Sequence, residues 1–258
     1  MSEKLQALEA QLAQAATQRE KIDTLNLMAR EVQRTNVSYA QELAQQAHTL
    51  SQQEEFQAEP YCEGMIAALV MLSNTSDLQN NLQEALKQVY EALTLCDLLT
   101  DQRLRLSVLN RLAWAHFRLG SYSKALEYAF QLLTLAEKLS DLEHQAHSYN
   151  VLGAIYGDLG DEEKSIAYLQ LALPLFQTLG NLERERAVLG NFCMAYRLFG
   201  QHAKALENGL RALQMSFAAG DLQHQANFLA IIGDVYYELQ DDATALDYYR
   251  QGLAVSHT

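Results

Sequence analysis

Small and apolar residues recur in this chain at helical spacing, and the whole pattern recurs again forty residues further on. Ala205, Gly209 and Ala212 stand at i, i+4 and i+7, one face of an α-helix. Ala125, Ser165, Ala205 and Ala245 are forty apart, and so are Leu132, Ala172, Ala212 and Gly252. Gly120, Gly160, Gly200 and Gln240 form another such column, and Asn80, Ala85 and Ala92 extend the register backwards. Asp101, Asp141, Asn181 and Asp221 supply an independent one. Ungapped agreement over roughly 180 residues marks a repeat protein. Each period reads as two antiparallel helices. An Asp or Asn side chain accepts an orphan N–H at the start of the first, and the glycine at 120, 160 or 200 ends it. The second helix ends at Gly180 or Gly220, and its small residues let neighbouring helices approach closely.

The N-terminal part keeps a weaker version of this pattern. LNLMAREVQRTNVSYAQELAQQAHTL places Ala40, Ala44 and Ala47 as a second helix, but Ala40 to Ala85 is 45 residues. The surplus falls in the polar stretch SQQEEFQAEP, closed by Pro60. Before it, Leu5, Leu8, Leu12, Ala15 and Ile22 follow 3-4 spacing, interrupted at Arg19. The expected organisation is a capping or oligomerisation helix over 1–17, a diverged repeat plus linker over 18–60, and five forty-residue repeats over 61–258. Pro174, inside a second helix, predicts a local bend.

Composition narrows the class. Hydrophobic residues make up 49% of the 258, enough for a core, and only 12 Gly and 2 Pro leave few turns for an all-β protein. The net charge of −13 argues against nucleic acid or an anionic membrane as partner and favours a basic one. Cys62, Cys96 and Cys193 are scattered and odd in number, the usage of a reducing compartment. The start MSEKLQALEAQLAQ is polar, and the apolar run Met65 to Leu72 is too short for membrane insertion. A cytoplasmic location is the expectation.

Candidate chemistry adds little. No phosphate-binding loop and no HExxH occur. His144 and His147 lie one helical turn apart, but DLEHQA and DLQHQA are the same first turn in two repeats, so metal is not expected. His116 replaces Tyr156, Tyr196 and Tyr236 and reads as a core histidine. Glu162 with Glu163 and Asp241 with Asp242 suit helix starts better than paired-carboxylate catalysis. The expectation is no enzyme and no cofactor.

Gly153, Tyr156, Gly160, Ser165 and Ala172 follow one spacing, shared by Cys193, Tyr196, Gly200, Ala205 and Ala212 and by Gly233, Tyr236, Gln240, Ala245 and Gly252. Ala113, His116, Gly120, Ala125 and Leu132 follow it more loosely. This motif resembles the tetratricopeptide repeat, in the extended forty-residue form of signalling adaptors and bacterial regulators. The resemblance implies an all-α, right-handed α-solenoid of antiparallel helix pairs, about six in number, binding ligands along a concave face lined by first helices. Carried over by position, that face comprises Ser107, Asn110, Trp114, Phe117 and Arg118, then His147, Asn150, Ala154, Gly157 and Asp158. Gly190, Met194, Arg197 and Leu198 follow, then Asn227, Ala230, Asp234, Tyr237 and Glu238. Asn110, Asn150 and Asn227 have the amide donor and acceptor that pair with an extended peptide backbone. Trp114, Phe117, Met194 and Tyr237 suit apolar side chains of a ligand, although Trp114 and Phe117 fit core packing equally well. The lysine-plus-asparagine clamp for a terminal carboxylate is missing, since these first helices hold Arg but no Lys.

The function expected is a non-enzymatic protein- or peptide-binding scaffold or regulatory module. Two alternatives stand beside it. The chain stops at Thr258 without a polar capping helix, as the sensory part of a larger bacterial signalling protein with a nucleotide cyclase or histidine kinase downstream would. An uncovered terminal repeat or the N-terminal helix also suits a homodimerising scaffold.

Overall fold

The computed structural model describes residues 3–33, 35–53, 56 and 59–256. Among them are thirteen α-helices and no strand. The first is α1 (Glu3–Gln14), and the rest form six antiparallel pairs. These are α2 (Gln18–Val32) with α3 (Val37–Ser51), α4 (Cys62–Leu78) with α5 (Leu82–Cys96), and α6 (Arg103–Arg118) with α7 (Tyr122–Lys138). Next come α8 (Leu142–Asp158) with α9 (Glu162–Thr178), α10 (Leu182–Leu198) with α11 (His202–Ala218), and α12 (Leu222–Glu238) with α13 (Asp242–Ser256). The architecture is an all-α helical repeat. The chain divides into two compact bodies, Met1–Leu135 and Ala136–Thr258.

The columns read from the sequence mark real helix ends. Asp141, Asn181 and Asp221 are N-caps, each accepting the backbone N–H three residues on, from His144, Arg184 and His224. Asp101 departs from this rule: α6 starts one residue late behind Gln102, and Asp101 accepts from Arg103 N–H at 2.9 Å. Gly120, Gly160, Gly180, Gly200 and Gly220 all adopt positive φ, as glycine allows without steric cost. Asn80, Ser140 and Gln240 hold the same left-handed conformation at equivalent turns.

In the N-terminal body the apolar run Leu5 to Ile22 belongs to two helices. Thr17 forms a capping box with Glu20 and starts α2, so Leu5 and Leu8 from α1 and Ile22 from α2 enter one core from different directions. Further along, Leu86 and Leu93 of α5 pack with Val108 and Leu112 of α6, joining one helix pair to the next. Tyr90, His116 and Tyr128 close the α5–α6–α7 junction: Tyr90 OH lies 2.8 Å from His116 Nε2, and the His116 ring stacks on Tyr128 at 5.5 Å. His116 is a core residue, 3% exposed.

The C-terminal body repeats the scheme. A Cβ on Gly153 would lie 2.6 Å from Leu169 Cγ, so the missing side chain lets α8 and α9 touch. Ile166 and Leu173 of α9 meet Val188 and Phe192 of α10, and Leu206 and Leu213 of α11 meet Phe228 and Ile232 of α12. The helix α9 continues through Pro174 to Thr178. The three cysteines are buried and free. Among the described residues no helix is long and apolar enough to cross a membrane.

Candidate functional site

Successive turns bring Ser107, Asn110, Trp114, Phe117 and Arg118 to one side of α6. The Trp114 ring meets Phe117 edge-on at 5.5 Å, and Phe117 leans on Tyr122 at 6.2 Å. Trp114 and Phe117 are half-buried, so each both packs and presents a surface. Arg118 is exposed, its Nε 3.6 Å from Asp77 Oδ1. Beside it lies a contact that the repeat columns did not reveal. Arg111 Nη2 reaches Asp77 Oδ2 at 2.8 Å while its Nε donates to Ser73 Oγ.

The α8 positions are more enclosed. His147 is 7% exposed and meets Phe176 edge-on at 5.1 Å. Asn150 is 4% exposed, and its Oδ1 accepts from Asn191 Nδ2 at 2.8 Å, so it is held by a partner that sequence reasoning passed over. Ala154 is half-buried, Gly157 is buried, and Asp158 at the helix end is exposed. His144 sits 3.0 Å from its own N-cap, Asp141, and His224 repeats this with Asp221 at 2.9 Å.

The positions on α10 and α12 meet. Arg197 donates to Glu238 at 2.7 Å and lies 4.0 Å from Asp234 Oδ2. Asp234 also accepts from Tyr249 OH at 2.8 Å. Burial and that carboxylate push the Tyr249 hydroxyl up to about 12, so it remains a donor at neutral pH. His202 Nδ1 stands 3.6 Å from Glu238 Oε2. Tyr237, next to this cluster, is 64% exposed. Met194 is half-buried, and Leu198, Asn227 and Ala230 are exposed. Gly190 leaves room for Phe228, whose ring a Cβ there would meet at 2.9 Å.

A second polar seam lies deeper in the C-terminal body. Arg186, 4% exposed, donates to Asp221 at 2.6 Å, and Glu185 accepts from Gln177 and Arg211. Such seams hold neighbouring helix pairs in register. The more exposed positions, on α6 in the N-terminal body and on α10 and α12 in the C-terminal body, offer amide donors and acceptors, charges and aromatic faces, the chemistry of noncovalent recognition.

A family model described as tetratricopeptide repeat matches residues 104–178 and 144–216. Residues 104–216 carry tetratricopeptide repeats. Solved structures agree on the fold. The structure of BtubC (BKLC) from P. vanneervenii is similar over 97% of this chain and 91% of its own, with 20% identity and a TM-score of 0.62. The apo form of RapI matches over 98% of this chain and 89% of its own, at 12% identity and a TM-score of 0.74. A Rap protein complexed with competence and sporulation factor matches over 96% and 67%, at 13% identity and a TM-score of 0.76. No curated protein matches the chain significantly.

Proposed function

We propose that this tetratricopeptide-repeat chain is a non-enzymatic module that binds extended, basic protein segments along the exposed first-helix face of each of its bodies. The observation that carries the reading is the cluster on α10 and α12. Asp234 and Glu238 are held by Tyr249 and Arg197, while Tyr237 beside them keeps 64% of its surface open. Large exposed aromatics next to oriented charges are typical anchors of an interface. Asn227 would pair with ligand backbone, Met194 and Tyr237 would receive apolar side chains, and Asp158, Asp234 and Glu238 would face ligand cations. In the N-terminal body Asn110, Trp114, Phe117 and Arg118 offer the same combination on α6. His147 and Asn150, being enclosed, would shape the face more than touch the ligand. The similar Rap protein is solved complexed with competence and sporulation factor, which shows a fold of this kind engaging a partner.

Charge supports the choice of a basic ligand. Residues 136–258 contain 16 Asp and Glu against 8 Lys and Arg, a net charge of −8. Such a surface attracts a cationic segment, more strongly at low ionic strength. A panel of labelled extended peptides, titrated by fluorescence anisotropy, tests the proposal. Basic members should bind and acidic ones fail, and the triple variant Asn227→Ala, Tyr237→Ala, Glu238→Gln should weaken the best binder at least about tenfold. Unchanged affinity in that variant overturns the assignment.

A further inference from the structure

One position in the second helices changes character in a single repeat. Val89, Ala129, Leu169 and Gly209 stand forty residues apart and are all buried, and the next member of that column is Tyr249 on α13. The facing first helix changes with it. Asn74, Trp114, Ala154 and Met194 form another forty-residue column, and its next member is Asp234 on α12. Asp234 is half-buried, as the other four are, so its exposure is that of an ordinary position on the first-helix face.

The two exceptions are bonded to each other. A Cβ on Gly233 would lie 2.6 Å from Tyr249 Cε1, so the missing side chain makes room for the ring. The Tyr249 hydroxyl then donates to Asp234 Oδ1 at 2.8 Å. The other oxygen, Oδ2, accepts no hydrogen bond among the described residues, and Arg197 Nη1 stops 4.0 Å from it. Arg197 has a donor to spare, since its Nε is buried without a hydrogen-bond partner. Its Nη1 is engaged by Glu238 Oε1 at 2.7 Å, and His202 Nδ1 stands 3.6 Å from Glu238 Oε2. Glu238 is thus approached from two sides, while Asp234 keeps 45% of its side-chain surface exposed. Two carboxylates against one guanidinium leave a net negative charge here when His202 is neutral.

We infer that Tyr249 is a positioning residue: its hydroxyl holds the Asp234 carboxylate off Arg197 and keeps Oδ2 open for an arginine or lysine side chain of the ligand. This role rests on the binding of basic segments proposed above, and it names the carboxylate that reads one of their cations. Without the hydroxyl, rotation of the Asp234 side chain closes the gap to Arg197, whose unpartnered donor favours the pair. The acid then remains in the chain but is lost to the ligand. An internal cation and a ligand cation compete for one oxygen, and the tyrosine decides between them.

A labelled extended peptide of alternating arginine and serine, titrated by anisotropy near neutral pH, tests this role. Tyr249→Phe should weaken its binding about fivefold, and Asp234→Asn by a similar factor, with helical circular dichroism retained in both. A control peptide with glutamine for every arginine should not distinguish the parent from Tyr249→Phe. In an Arg197→Gln background the loss caused by Tyr249→Phe should disappear, because no internal cation then competes for Asp234. A tyrosine that only packs would give the same loss with or without Arg197, and that result overturns the role. Unchanged affinity in Tyr249→Phe also overturns it, while leaving the first-helix binding face standing. Failure of the parent to bind the arginine peptide overturns both.

Discussion

Arg111 and Asp77 meet at 2.8 Å between α6 and α4, with only 10% and 15% of their side-chain surfaces exposed. The pair links two successive repeats of the N-terminal body. A buried pair of this kind is costly to break from one side, because the remaining charge loses its partner but not its burial. Asp77→Ala should therefore lower unfolding stability by about 3 kcal/mol, measured by urea denaturation. Replacing both ends by apolar residues, Asp77→Leu with Arg111→Met, should recover most of that loss.

The N-caps divide into two strengths. Asp141 caps α8 and contacts its own His144, so Asp141→Ala should cost about 1 kcal/mol, the usual value of a lost cap. Asp221 caps α12 and also neutralises Arg186, which is 4% exposed, so Asp221→Ala should cost clearly more in the same denaturation assay. Burial raises the Asp221 carboxyl, but the His224 backbone N–H, the His224 ring and Arg186 outweigh it, leaving it below its ordinary 3.8. The stability it contributes is present above that value and is lost as the pH falls below it.

His116 should make folding sensitive to mild acid. Burial, with a smaller push from Lys124 opposed by Glu127, lowers its pKa below the ordinary 6.5, and Tyr90 and Tyr128 face it from α5 and α7. The unfolded chain then binds the proton more readily than the folded one. Stability from this group is complete above 6.5 and declines as the pH falls below it. Tyr occupies the equivalent position in other repeats and stacks in the same way, Tyr156 on Tyr168 at 5.7 Å and Tyr236 on Tyr248 at 5.4 Å. His116→Tyr should therefore fold and show a shallower loss of melting temperature between pH 7 and pH 5.

Two glycines should respond to alanine for different reasons. At Gly153 the new Cβ would fall 2.6 Å from Leu169 Cγ and 3.2 Å from the Ser165 carbonyl, an overpacking that should cost about 1–3 kcal/mol. At Gly120 nothing lies within 4 Å, but φ is 68°, so the cost is backbone strain of about 1 kcal/mol. Double-variant melts should show the two losses adding, because the positions share no contact.

The repeat, the helix ends and the core histidine were legible because they depend on local chemistry that recurs every forty residues. Glycine at a left-handed turn and Asp at a cap leave the same mark in each copy. The partners of side chains were less legible because they cross between copies at other offsets. Arg111 bonds Ser73 over 38 residues, Asn191 bonds Asn150 over 41, and Arg186 reaches Asp221 over 35. Asn150 looked available for a ligand because its column says only which side of the helix it occupies, not that Asn191 would hold it there. Asp101 shows the opposite limit: it keeps its column, yet α6 begins one residue beyond it.

The most direct test of peptide binding on the first-helix face uses the chain's single tryptophan. Trp114 lies half-buried on α6 between Asn110 and Phe117, so its emission reports on that face without a label. Titration with the best basic peptide should shift the Trp114 emission saturably, with the same dissociation constant that anisotropy gives. The shift should weaken in Asn110→Ala. A peptide that binds by anisotropy while Trp114 emission stays constant would contradict the account.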